Sequence, residues 1–162
     1  MATIKELEDG IKKLNDDLQE LKAKKQNNGR WVPKLGEYYY YIDSDLSVAP
    51  TENYNHRHDK NRILVGNCYK TLAEAEKERD RLIAIAEVNQ IIREENGDWV
   101  PDWNDHSKDK FTLTFCHARR GLMFYSVTTW QIETVLEYCS DKKLKVIISR
   151  ITQDQINKIW RL

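Results

Sequence analysis

No stretch limits the folding choices of this chain more than Glu37-Tyr38-Tyr39-Tyr40-Tyr41-Ile42, set behind the punctuation Gly29-Arg30-Trp31-Val32-Pro33 and Gly36. Consecutive aromatic residues closed by isoleucine favour a strand. Side chains in a strand alternate, so Tyr38, Tyr40 and Ile42 share one face and Tyr39 and Tyr41 the other. A strand aromatic on both sides is covered on both, or covers one and offers the other to a partner. Residues 43–61 show no period and read as one long loop, a type that is functional or mobile. Arg62 to Tyr69 reads as a second strand, antiparallel to the first. Thr71 and Glu74 then stand at capping-box spacing and open a helix from Leu72 to about Glu95, which Asn96-Gly97 ends. The first half of that helix has a narrow apolar face, Leu72 and Ala75. The second half, Leu82 to Ile92, is apolar nearly all round and is expected to be buried on more than one side.

A second, weaker copy follows. Gly97-Asp98-Trp99-Val100-Pro101 repeats Gly29-Arg30-Trp31-Val32-Pro33 in four of five positions. Phe111 to Phe115 and Leu122 to Tyr125 read as strands joined by a tight connection at Ala118 to Gly121. Thr128 with Gln131 marks a capping box for a helix over Ile132 to Ser140. The order strand, strand, helix recurs, which predicts a pseudo-repeat of residues 29–95 and 96–140. The competing reading is that two hairpin–helix units carry W-V-P by coincidence. In the tail, 141–162, Leu144 to Ile151 reads as a covered strand because of its continuous apolar middle. Thr152 with Gln155 caps a short last helix bearing Ile156, Ile159 and Trp160.

Ahead of all this, Ile4, Leu7, Ile11, Leu14, Leu18 and Leu21 are spaced 3, 4, 3, 4, 3. That is the a/d pattern of a coiled coil. Thr3 with Glu6 forms a capping box, and Lys22, Lys24 and Lys25 suit the helix dipole. A short helix is marginal alone, and Gly10 in its middle costs about 1 kcal/mol relative to alanine. The stripe therefore pairs with its copy in another subunit or folds back on its own domain. The strictness of the pattern favours a dimer, with Ile4, Leu7, Ile11, Leu14, Leu18 and Leu21 as its interface. Asp17 and Lys22 would then attract across the seam. The expected fold is α+β: a coiled-coil helix over 1–28, then a globular domain over 29–162. That domain would hold two ββα units forming an antiparallel sheet with helices, plus a last strand and short helix.

Charge narrows the function. Lysine and arginine number 26, as do aspartate and glutamate, giving zero net charge. A protein held to nucleic acid through phosphates needs a basic excess or stripe, so nucleic acid is an alternative partner, not the favoured one. Cys68, Cys116 and Cys139 are odd in number and far apart, which argues for reduced thiols in a cytoplasmic setting. The opening lacks the apolar core of a signal peptide, and the longest apolar run, Leu82 to Ala86, is too short for a membrane span.

No pattern for catalysis, cofactor or metal stands out. His56-Arg57-His58-Asp59, with Cys68 or Cys116-His117, offers ligand types but not the paired short spacing of zinc sites. Asp98, Asp102, Asp105 and Asp109 suit turns and solvation. Pro101-Asp102 with Asp141-Lys142-Lys143 resembles a nuclease pattern only formally, because Asp141 falls in a turn. Trp99, Trp103 and the tyrosines could stack bases but lack dense flanking cations other than Arg57, Lys60, Arg62, Arg119 and Arg120. The expected partner surface is the 43–61 loop and the exposed tyrosine face: Tyr39, Tyr41, Tyr54, His56, Arg57, His58 and Lys60.

Four motifs carry a resemblance: W-x-P-x-x-G-E-x-Y-Y-Y-I (Trp31 to Ile42), D-x-x-R (Asp59 to Arg62), G-N-x-Y-x-T-x-x-E-A-E (Gly66 to Glu76) and N-G-D-W-x-P-D-W (Asn96 to Trp103). Over roughly residues 31–115 the chain resembles uncharacterised small bacteriophage and prophage proteins. Residues 1–28 and the last third depart from that pattern. The resemblance implies an accessory role, such as an anti-CRISPR inhibitor of a host defence system or a modulator of a host enzyme, and transfers no catalytic residue. The combined expectation is a dimeric, non-enzymatic protein-binding module that meets a host protein or ribonucleoprotein. A nucleic-acid binder is the alternative, and a small-ligand sponge or metal hydrolase the third.

Overall fold

The computed structural model describes residues 5–6, 8–15, 18, 30–119, 121–127, 134 and 136–162. The fold is α+β and divides into two compact units, Met1–Glu76 and Lys77–Leu162. The described residues of the first eighteen, outside 1–4, 7 and 16–17, are helical, Gly10 included. Ile4, Leu7 and Leu21, and the Thr3 half of the first capping box, lie outside the described residues.

In the first unit the tyrosine run forms β1 (Tyr38–Ile42), paired antiparallel with β2 (Val48–Glu52). The expected long loop is therefore a tight turn, a strand and the start of a helix. Asp43 and Asp45 build the turn by accepting backbone N–H bonds from Ser44 at 2.7 Å and Ser47 at 2.9 Å, and Leu46 takes a left-handed φ of 66°. Pro50 obscures β2 in the sequence. Glu37 bonds Asn53 and Asp43 bonds Ser47 in the ladder, so alternation makes Tyr40–Pro50 a non-hydrogen-bonded pair. The missing proline N–H costs nothing there.

The expected second strand, Arg62 to Tyr69, is corrected: Arg57–Val65 is a helix, α1. Asp59 accepts from the His56 N–H at its start, and Gly66 ends it with φ 75°, a left-handed turn that glycine permits. Tyr69 alone keeps the predicted pairing. Its N–H and C=O exchange bonds of 2.9 Å with Tyr40. The Asn67 side chain extends this edge, accepting from the Ile42 N–H at 2.9 Å and donating to the Ile42 carbonyl at 2.7 Å. The long helix, α2 (Leu72–Asn96), starts where the capping box places it, with Glu74 N–H donating to Thr71 Oγ1 and Thr71 N–H to Glu74 Oε2, both at 3.2 Å.

In the second unit, β3 (Lys110–Cys116) and β4 (Gly121–Val127) form a separate antiparallel hairpin. Among the described residues the expected antiparallel sheet is thus two two-stranded ladders. Thr128 and Gln131 lie outside the described residues, as do 128–133 as a whole. Of the predicted helix to Ser140, residues Leu136–Ser140 are not helical. This stretch is an extended strap instead. Phe111 and Cys139 exchange backbone bonds, Asn89 Oδ1 accepts from the Glu137 N–H at 2.9 Å, and Asn96 Nδ2 donates to the Tyr138 carbonyl at 2.8 Å. Leu144–Arg150 is also a helix, α3, entered through a 3-10 turn at Asp141–Lys143. Leu144, Ile147, Ile148 and Ile151 stand at i, i+3, i+4 and i+7, a helical face that a continuous apolar run conceals. The Thr152–Gln155 capping box opens α4 (Gln153–Trp160) as the sequence predicts.

Ala84, Val88 and Ile92 of α2 meet Leu113, Leu136, Cys139, Ile147 and Ile159 in one core. They form a single stripe. Leu82 is 41% exposed, so the second half of α2 is covered on one side, not several as its composition suggests.

Candidate functional site

The residues expected to meet a partner all lie in the first unit, and one buried polar cluster positions them. Tyr39 is wholly buried and its hydroxyl donates to Asp59 Oδ1 at 2.7 Å. Asp59, itself buried in the first turn of α1, accepts the His56 N–H on its other oxygen at 3.0 Å. Arg62, one turn further on, reaches the Tyr39 hydroxyl at 3.4 Å and lays its guanidinium 3.4 Å from the centre of the Tyr41 ring. This cluster pins α1 across the Tyr39 face of β1. Burial is the largest influence on Asp59 and pushes its carboxyl up. The bonds from Tyr39 and the His56 and Tyr54 backbone, with the Arg62 charge, outweigh it and leave the pKa below the ordinary value. Burial is also the largest influence on the Tyr39 phenol; with the Asp59 carboxylate it pushes that group up to about 12, against the opposing bond from Arg62.

The cluster sorts the expected site residues. Tyr39 is a correction: it lies in the core and offers nothing to a partner. Tyr41 is half-buried under Arg62. Tyr54, His56, Arg57, His58 and Lys60 are exposed. The Tyr54 hydroxyl donates to Glu52 Oε2 at 2.7 Å, and its ring sits 6.0 Å from that of His56. The exposed tyrosine of β1 is Tyr38, on the opposite face from Tyr39 and directly across the ladder from Glu52. Sequence reasoning missed Tyr38, because alternation alone does not say which face is covered. It also missed Leu64 and Val65, which are 81% and 72% exposed at the end of α1. Reading that stretch as a strand hid them; the Gly66 stop signal, placed after a capped turn, is the clue to the helix.

The other constellations separate. Asp59 is turned inward while His56 and His58 face out, so the His-Arg-His-Asp run does not converge. Among the described residues no group of three or more His, Cys, Asp or Glu could hold a metal ion. Burial pushes the Cys68 and Cys139 thiols up to about 11, and all three cysteines are free. Asp102 and Asp105 fold back on the N–H groups of Asn104 and Ser107. The Ser107 hydroxyl and Lys108 hold the Asp105 carboxyl well below the usual range. Asp109 accepts from the Ser126 hydroxyl, and Asp141 from the Lys142 N–H at 2.7 Å. Trp103 packs edge-on to Tyr138 at 5.0 Å, with the buried Lys110 ammonium 5.6 Å from its ring. Arg62 is likewise committed inward, which leaves Arg57, Lys60 and Arg119 as exposed cations of the expected basic set; Arg120 lies outside the described residues. No helix among the described residues is long and apolar enough to cross a membrane.

The chain matches no protein-family model, no curated protein and no solved structure.

Proposed function

We propose that this chain is a non-enzymatic protein-binding module that dimerises through its N-terminal helix and presents the outer face of its first unit to a macromolecular partner. The observation that carries the reading is the state of the heptad stripe. Ile11, Leu14 and Leu18 stand on helical backbone and are 60%, 70% and 48% exposed. Apolar residues in a strict a/d series gain little from water and much from knobs-into-holes contact with a second copy. A dimer also doubles any binding surface, so avidity substitutes for a large single interface.

The partner-facing surface in this reading is Tyr38, Tyr54, His56, Arg57, His58 and Lys60, extended by Leu64 and Val65. It mixes aromatic, basic and aliphatic groups, the composition of protein interfaces more than of phosphate grooves. The setting is the one the motif resemblance suggests. The chain is a bacteriophage or prophage accessory protein that engages a host protein or ribonucleoprotein, as an anti-CRISPR-like inhibitor of host defence or a modulator of a host enzyme. Deleting residues 1–28 and measuring mass by light scattering tests the dimer: the mass per particle halves relative to the full chain. A full-length chain that is already monomeric refutes it. Affinity capture from host cells with wild type and with a Tyr54→Ala/Arg57→Glu variant tests the surface, and a partner retained equally by both places binding elsewhere.

A further inference from the structure

The second unit holds an open pocket of about 340 Å³ lined by the half-buried Phe115 and the exposed His117, Gln153 and Leu162. Its size lies at the lower end of the roughly 300–1,000 Å³ of small-molecule sites. Phe115 is near the end of β3 and half-buried. Its ring meets His117 at 5.1 Å in a T-shaped contact and lies 6.0 Å from Trp160, inclined by 32°. Phe115 and His117 thus give the pocket an aromatic side, and Leu162 adds an aliphatic one. Its rim is polar. Gln153, at the start of α4, donates through Nε2 to Asn157 Oδ1 at 2.9 Å, and its carbonyl oxygen accepts from no described residue.

We propose that this pocket binds a single nucleobase, stacked against Phe115 and held at its edge by Gln153 and His117. Three features select that chemistry. A flat π-face can stack upon Phe115, whose ring is backed by Trp160. The Gln153 carbonyl accepts from an exocyclic amine or ring N–H, and His117 adds a second polar edge. An aliphatic ligand would desolvate both groups without pairing them, which costs free energy for each. The volume takes one ring system and not a longer polymer, so one base enters whether it belongs to a free nucleotide or to a single strand. The inference is independent of the interaction surface proposed for the first unit.

Isothermal titration of the full chain with adenosine, AMP and ribose 5-phosphate tests it. Both base-containing ligands bind and ribose 5-phosphate does not. Phe115→Leu weakens binding by about tenfold or more, the loss of one stacking partner. Gln153→Ala, an exposed change that leaves the core intact, weakens it by about three- to tenfold, one hydrogen bond. No heat from adenosine or AMP at millimolar concentration overturns the proposal, as does binding that Gln153→Ala and Phe115→Leu both leave unchanged. A short single-stranded oligonucleotide identifies the source. Tighter binding than AMP, falling with salt, assigns the base to a strand; equal binding assigns it to a free nucleotide.

Discussion

Replacing Tyr39 with phenylalanine isolates the polar cluster that fixes α1 on β1. The ring stays, so packing is conserved; only the hydroxyl that donates to Asp59 at 2.7 Å is lost. A bond to a charged acceptor contributes about 1.5–3 kcal/mol, and Asp59 is too buried for water to take the vacant place freely. The cost falls on the first unit. The mutually bonded amides of Tyr40 and Tyr69, next to the substitution, should exchange hydrogen about ten- to hundredfold faster at neutral pH. The pH dependence gives a second, sharper readout. The Tyr39 phenol is raised from 10.0 to about 12, so the folded state holds its proton more tightly than the unfolded chain. That stability is fully present below pH 10 and is lost as pH rises through 12. The shift corresponds to roughly 3 kcal/mol, at about 1.4 kcal/mol for each pKa unit. The Tyr39→Phe variant has no such group, so its stability should fall less steeply over the same window. On the acid side, the lowered Asp59 pKa stabilises the fold above the ordinary carboxylate range and ceases to as pH drops through the folded value. Urea midpoints by circular dichroism across pH 3 to 12 check both limbs. Identical alkaline slopes in wild type and Tyr39→Phe, with unchanged exchange at Tyr40 and Tyr69, would refute the assignment.

Two further outcomes follow from burial in the second unit and around the thiols. Ile92 is wholly buried in the stripe it forms with Val88 and Ala84, and Ile92→Ala should destabilise by about 2–5 kcal/mol in chemical denaturation. Leu82→Ala, at a 41% exposed position of the same helix, should cost clearly less; equal losses would mean α2 is covered on two sides after all. The thiols should also divide. Cys68 and Cys139, raised to about 11 by burial, should resist a thiol-specific reagent at pH 8 in the native protein, while the half-buried Cys116 reacts first. Stoichiometric labelling of all three without denaturant would contradict the burial described.

Where sequence reasoning failed, the segment was short. Leu144 to Ile151 and Arg62 to Val65 are runs rich in β-branched and leucine side chains, which favour strands locally, yet Leu144–Arg150 and Arg57–Val65 are helices. In α3 the i, i+3, i+4, i+7 spacing is present but is outweighed by the continuity of the run. In α1 the decisive residue is Asp59, whose carboxylate caps the helix start and receives the Tyr39 hydroxyl from twenty residues away. No window of sequence contains that pair. The strap at Leu136–Cys139 is similar: its backbone groups are satisfied by Asn89, Asn96 and Phe111. A helix through the same residues would have had to satisfy them internally.

The candidate surface was legible in part. Tyr54, His56, Arg57, His58 and Lys60 are polar enough to stay in water wherever the chain goes, and they do. Tyr38 and Tyr39 are chemically the same, and only the docking of α1 made one of them core and the other surface.

Local sequence specifies whatever closes within a few residues: the Thr71–Glu74 and Thr152–Gln155 capping boxes, the extent of α2, the tyrosine strand and the β3–β4 hairpin. The bonds of the capping boxes and of α2 join residues close in the chain, and the strand character of the tyrosine run and the short connection of the β3–β4 hairpin are local properties too. Contacts across the fold settle which strand β1 pairs with, which tyrosine is buried, and whether short apolar runs are helix or strand. Those outcomes turn on desolvated contacts between distant residues, above all Tyr39 with Asp59 and Tyr40 with Tyr69, whose free energy exceeds the small local preferences they override.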